Sequence, residues 1–432
     1  MRRTLIRNAD LVMTMEPQLG DGELGLISGG DVCIEDNRIA AVGKGLDGSG
    51  ANIIDATGKI VLPGFVDVHN HLWQSLIRGC GTSQTVGDWL QTCVFPVGRL
   101  NVTGQEAYAV VRLSTLDVLS TGVTTVVDWS HAFNPDFARG NVQALLDSGL
   151  RFAFAYLGRV ERVEDMRAMK REMIDPNPRA SFQIGGVQPT MAEEVLHTLR
   201  RMAELARAMN VKLHVHLLEA EGNRQEEPLR ALDLAGVLGP MLIGAHAVHV
   251  TDDEIVLLAR RGVRLTHCPL SNMRLASGIM RLGAIRAQGI RVGLGLDGGA
   301  NDTSDMFNTM RVAVGLQRAV THDPAVYPTV AAALYLATLG GAEVLDMADQ
   351  IGSLAPGKQA DVIVLNPHTL NFAPRFDDVS QVVFNAQPGN VEWVFVDGRV
   401  LKERGQLVVV DAEAVIADAN RVVRRIRTAL LC

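Results

Sequence analysis

The chain has no C-x-x-C pair, no apolar run approaching a membrane span and no excess of positive charge, and each absence removes a class of function. Its five cysteines (Cys33, Cys80, Cys93, Cys268, Cys432) are odd in number and scattered. Neither a disulfide framework nor a zinc ribbon is therefore expected, and the cytoplasm is the fitting compartment. No uninterrupted apolar stretch reaches the roughly 18 residues of a membrane helix. The basic start MRRTLIRNADLVMTMEP is broken by Arg7, Asn8 and Asp10 before a signal-peptide core can form. With 41 Lys and Arg against 48 Asp and Glu, a net charge of −7, nothing electrostatic favours nucleic acid or an anionic membrane. A small neutral or weakly charged ligand is the expected partner.

What is present describes a well-cored globular protein: 47% hydrophobic and 21% charged residues. At 432 residues the chain exceeds one ordinary domain but accommodates a barrel of about 250 residues and a satellite. The first 60 residues read as short strands and turns, and the same texture returns in GSLAPGKQADVIVLN and VEWVFVDGRVLKERG before a final helix from about Asp411. The two ends are expected to build one small β-sandwich. The middle alternates helix, stop and strand: capping-box spacing at Thr103/Glu106, Thr190/Glu193 and Thr251/Glu254 opens helices that stop at Gly122, Asn210 and Gly262. Strands follow, and counting from KIVLPGFVDVHNH to IRVGLGLD gives eight, the number that closes a (β/α)8 TIM barrel. The expected organisation is 1–60 sandwich, 61–354 barrel, and 355–432 sandwich with the final helix.

In such a barrel, chemistry sits at the C-terminal strand ends. Strand one ends FVDVHNHLWQ, where His69 and His71 share a face because side chains alternate. Strand five ends LHVHLLE, with His214 and His216 on one face and Glu219 just beyond; strand six ends GAHAVH, with His246 and His249; strand eight ends at Asp297. A lone histidine on an apolar strand is readily a hydrogen-bonded core residue, but pairs and carboxylates at four strand ends together point to a metal site. His197, His322 and His368 fall in a helix and in loops and suit solvated or capping roles, while His131 lies just past strand two.

These segments are similar, in order and spacing, to signatures of the amidohydrolase superfamily: LPGFVDVHNHLWQSLIRG, HVHLLE, AHAVH, HCPLSNMRLASGI, LGLDGGANDTSDMFNTMR and IGSLAPGKQADVIVLN. The resemblance covers essentially the whole chain and is to the branch of mononuclear heterocycle deaminases and triazine hydrolases. It implies that His69, His71, His216 and Asp297 bind one divalent metal, Zn2+ first and Fe2+ as the alternative, that Glu219 handles protons, and that His246 orients water. It also implies a homodimer. Strand four, ASFQIGGVQP, has no lysine to carboxylate, so one metal is favoured over two. Where several purine-directed members carry Pro-His, this chain has GVQPT, which weighs against a purine nucleoside and puts Gln188 toward the substrate.

The implied set leaves an open coordination position, as in a catalytic site. The expected chemistry is attack of a metal-bound hydroxide on a ring carbon of an aminated purine, pterin, pyrimidine or triazine, with release of ammonia. Glu219, His246 and Asp297 are the catalytic candidates. Gln74, Trp73 and Trp89 are expected against the ring, with Trp129 nearby. Displacement of halide or alkylamine from a triazine-like ring, or opening of a cyclic amide, is the alternative. The H-x-E and P-C-x-x-C signature of the unrelated zinc deaminases is absent.

Overall fold

The computed structural model describes residues 2–301, 303–408 and 410–431; Cys432 lies outside them. Eight parallel strands follow one another in chain order around a barrel: Phe65–Asn70, Val123–Ser130, Arg151–Leu157, Ala180–Gly185, Lys212–Leu217, Leu242–His246, Arg264–His267 and Val292–Leu294. The helices between them begin and end where local chemistry dictates. Thr103 and Thr251 each accept the backbone N–H of the glutamate three residues on, which returns the bond in a full capping box. Asn210 ends Glu193–Met209 with a left-handed φ of 52°. The expected box at Thr190 does not form. The helix starts at Glu193 itself, so that glutamate is not at the third helical position, and the Thr190 hydroxyl accepts from Ala192 instead.

Strand one is shorter than KIVLPGFVDVHNH implied, because the chain changes sheets at Gly64. Ile60–Pro63 pairs antiparallel with Val362–Leu365, and only Phe65–Asn70 enters the barrel. A Cβ at Gly64 would come within 2.1 Å of the Thr124 side chain, so the crossing requires glycine. The second sheet is mixed, has nine strands and draws on both ends of the chain. Arg3–Met13 is its longest strand and pairs with three others. Ile6, Val12, Val32 and Ile34 from one part of this sheet share a core with Val362, Val364 and Phe395 from the other. The final helix, Ala412–Leu431, lies against the first barrel helix, where Arg425 reaches the Glu106 carboxylate at 2.6 Å.

The expectation of no disulfide is corrected. Cys80 and Cys93 are joined, their Cα atoms 6.0 Å apart, while Cys33 and Cys268 are buried and free. The segment after strand one winds through the short helical turns Leu72–Ile77 and Val86–Trp89, and this local folding, invisible in cysteine spacing, brings the two together. No helix among the described residues is long and apolar enough to cross a membrane.

The two sheets are tied by a buried ion pair. Arg151, at the start of barrel strand three, donates to Asp361, which precedes Val362, at 2.9 and 3.3 Å, and both side chains are 3% exposed. Asp361 also accepts the Asp397 backbone N–H at 2.7 Å. Removing one partner of such a pair strands the other charge, so Asp361→Ala is expected to cost about 3–5 kcal/mol in urea denaturation. A loss below about 1 kcal/mol would show that Asp397, 3.5 Å from Arg151, suffices to hold the guanidinium.

Candidate metal centre and active site

Period-two alternation turns His69 and His71 to one face of strand one, and the other strand-end candidates converge on the same point. Donor atoms lie within 4.8 Å of one another in three overlapping sets: His69, His71 and Asp297; His69, His216 and His246; Glu219, His246 and Asp297. His71 Nε2 is 3.2 Å from His216 Nε2 and 3.4 Å from Asp297 Oδ1, and His69 Nε2 is 3.5 Å from that same oxygen. His246 and Asp297 hold left-handed backbones, φ 72° and 69°, a conformation that non-glycine residues keep only where the surroundings impose it.

The imidazole tautomers follow from their outer partners. His71 Nδ1 donates to the Trp129 carbonyl at 2.6 Å, which leaves the Nε2 lone pair facing the centre. Behind His69 runs a relay: Gln183 Oε1 accepts from His214 Nδ1 at 3.2 Å, and His214 Nε2 accepts from His69 Nδ1 at 3.1 Å. The lone pair of His69 is thereby also directed inward. Its Nε2 is buried and has no hydrogen-bond partner among the described residues, and the same is true of His246 Nε2. Burial holds His69, His71 and His216 below the ordinary histidine pKa. Neutral imidazoles whose ring nitrogens converge beside a carboxylate are a donor set that fits one divalent ion.

The two carboxyl groups at this point are pushed apart. Burial raises Glu219 to about 7, against the opposing field of His246. Burial also works against charge on Asp297, but the approach of His69 and the positive fields that His246, His69 and His71 exert when protonated outweigh it and hold the group well below the usual carboxylate range. His246 accepts from the Asn272 amide at Nδ1, 3.0 Å, so its Nε2 carries the proton, 3.6 Å from Glu219 Oε2.

A cavity of about 290 Å³ opens over the centre. Of the expected substrate residues, Gln74, Trp89 and Gln188 line it, together with Trp129 and His131. Trp73 does not. It is wholly buried, and on the turn Leu72–Ile77 it points away from its neighbour Gln74, with its indole donating to His131. Trp89 donates to the Cys80 carbonyl at 3.2 Å. Cys268 is buried, its thiol raised by desolvation, and it lies outside the cavity. His249 is turned elsewhere, to the Ser277 carbonyl at 2.6 Å.

A profile of the amidohydrolase family matches residues 60–401. The chain is 34% identical over 428 residues, 95% of its own length and 97% of the relative's, to a 5'-deoxyadenosine deaminase of Methanothermobacter thermautotrophicus. Among solved structures, an adenosine deaminase from Xanthomonas campestris with bound zinc superposes with a TM-score of 0.85 at 26% identity, covering 98% of each chain. Atrazine chlorohydrolase from Arthrobacter aurescens TC1, complexed with zinc, shares the fold at a TM-score of 0.87 and 24% identity, over 97% of this chain and 100% of that one.

Several supporting residues escaped the motif reading. Asp67 is fully buried, and burial lifts it to about 7 although it accepts from Asn70 (2.7 Å), from the Leu296 backbone N–H (2.9 Å) and from the His69 N–H (3.3 Å). The alternation that pairs His69 with His71 also puts Asp67 on their face, and that was the available signal. Asp128, likewise buried, accepts from the Leu72 N–H and from Asn141. The Trp129 indole donates to the His214 carbonyl at 2.9 Å and passes so close to Gly185 that a Cβ there would meet it at 2.9 Å. Asp67→Ala should leave the Leu296 N–H and the Asn70 amide unpaired, costing about 1–3 kcal/mol each, with weaker zinc binding in a chelator competition. Wild-type melting and zinc affinity would mean that strand eight stays in place without this carboxylate.

Proposed function

Because this chain belongs to the amidohydrolase family, we propose that it is a metal-dependent hydrolytic deaminase, removing ammonia from an aminated aromatic N-heterocycle. The observation that carries the reading is the placement of two carboxyl groups on one cavity floor. Glu219 is kept protonatable by burial, while Asp297 lies 3.5 and 3.4 Å from the Nε2 atoms of His69 and His71, where a divalent ion would hold it ionised, and acid and base roles divide in this way within one site. His69, His71, His216 and Asp297 would hold one divalent ion, with zinc favoured by the zinc-bound relative and by this donor set. Such an ion supplies Lewis acidity and brings the pKa of water down toward neutrality.

The residues then divide the work. Asp297, ionised, accepts the proton of the attacking water. Glu219, with an affinity for protons near neutral pH, delivers its proton to a ring nitrogen, which makes the adjacent carbon electrophilic, then takes the proton of the new hydroxyl group and passes it to the departing amine, after which Asp297 returns its proton to Glu219. His246 presents its Nε2 proton on the same side and stabilises negative charge as the carbon becomes tetrahedral. Water adds, the C–N bond breaks, and an oxo-heterocycle and ammonia leave. Trp89 and Trp129 offer edges and faces to a planar ring, and Gln74 and Gln188 offer amides to its polar atoms. The Methanothermobacter relative is a 5'-deoxyadenosine deaminase and the Xanthomonas structure an adenosine deaminase, so purine nucleosides, against which GVQPT weighs, are kept as candidates beside free purines, pyrimidines, pterins and triazines.

Ammonia release by zinc-loaded protein across these four ring classes, with adenosine and 5'-deoxyadenosine among them, tests the proposal. Release from one class is expected, whereas chloride, alkylamine or a ring-opened acid would assign the alternative hydrolysis. Glu219→Gln should retain metal and fold while kcat falls by about 10²–10⁴; unchanged kcat would remove Glu219 from the mechanism. Asp297→Ala is expected to lose activity and most of the metal, and full metal retention would show that strand eight supplies no ligand.

A further inference from the structure

His131 follows barrel strand two and takes no part in the proton transfers proposed above. Its ring is fixed from several sides: Trp73 and Trp129 meet it edge-on at 5.2 Å, and Phe133 packs at 5.4 Å with a 30° tilt. The Trp73 indole nitrogen stands 3.1 Å from His131 Nδ1. An indole N–H only donates, so Nδ1 must be the acceptor and the ring proton must sit on Nε2. Protonating Nδ1 as well would set two N–H groups against each other. The His131 Nε2 has no hydrogen-bond partner among the described residues, and the ring forms part of the cavity wall.

From this arrangement we infer that His131 determines specificity: locked by Trp73 as an Nε2–H donor, it reads an oxo oxygen on the heterocycle. Gln74 is constrained in the same sense. The Gly299 backbone N–H occupies its Oε1 at 3.0 Å, so its amide N–H groups remain for the cavity. Two fixed donors therefore face the ring. Much of the remaining wall is apolar, formed by Val86, Leu90, Phe95, Leu157, Val187 and Leu275, and no lysine or arginine lines it among the described residues. The substrate class that matches is an uncharged aminated ring with an oxo oxygen on the edge away from the departing amine and no phosphate or carboxylate. This inference rests on the deaminase reading and narrows its substrate.

Matched ring pairs test it, in which an oxo group is exchanged for an amine: cytosine against 2,4-diaminopyrimidine, and isoguanine against 2,6-diaminopurine. The wild-type protein is expected to favour the oxo member, because donors facing an amino group are left unpaired. His131→Phe keeps a ring and removes the donor; kcat/KM for the oxo member should fall by about tenfold or more and the preference collapse, with zinc content unchanged. His131→Gln restores an N–H and should recover part of the preference. Trp73→Phe removes the lock while leaving an aromatic in the core, and should lower the preference at unchanged zinc content. If wild-type protein releases ammonia from a ring but the preference survives both His131→Phe and Trp73→Phe within twofold, the inference is wrong and the deaminase reading stands. Release from no ring would overturn both.

Discussion

Barrel closure runs through the backbones of the residues that face the centre. The last strand is only Val292–Leu294, and its link back to the first is a single parallel bridge between Asn70 and Asp297. The Asp297 N–H donates to the His69 carbonyl at 2.8 Å, and the His71 N–H donates to the Asp297 carbonyl at 2.6 Å. The Asp67 carboxylate adds the Leu296 N–H to the same seam. Forming the barrel and bringing these side chains together are thus one event. A left-handed aspartate is tolerated at this point because hydrogen bonds on both sides of it determine its backbone.

The electrostatics follow from that closure. Three imidazoles are packed where water does not solvate their charge, so they stay neutral and present lone pairs. Each outer partner is an acceptor or part of a relay ending in one: the Trp129 carbonyl behind His71, and Gln183 through His214 behind His69. Asn272 does the opposite to His246 by donating to Nδ1, and so turns a proton rather than a lone pair toward Glu219. One residue type takes two roles, separated by what stands behind the ring.

Much of this was legible in the sequence wherever a short-range rule governs. Strand alternation carried His69 and His71, and capping chemistry carried the helix starts at Thr103 and Thr251. The eight-strand count carried the architecture. What escaped depends on contacts between distant segments or on the pitch of short turns. Trp73 and Gln74 are neighbours in sequence, yet one is core and the other faces the cavity, because a helical turn rotates adjacent side chains apart. The sheet change at Gly64 is imposed by Thr124, and Cys80 meets Cys93 through a fold-back that spacing does not encode. Gln183 reads as an ordinary strand residue because His214, which it binds, lies on another strand, and the Leu296 N–H bound by Asp67 is more than two hundred residues away in sequence.

The pairing of Ile60–Pro63 with Val362–Leu365 bears on how the protein is made. As the chain leaves the ribosome, the strand that leads directly into the barrel emerges early, while the partner that covers its edge is synthesised only after every barrel strand. Until then that edge is open to other strands, including those of neighbouring nascent chains, and the Arg151 guanidinium waits for Asp361. Completion of the small sheet is therefore late in synthesis. A ribosome stalled before that point would leave a barrel with an unpaired apolar edge, a form for chaperones to hold.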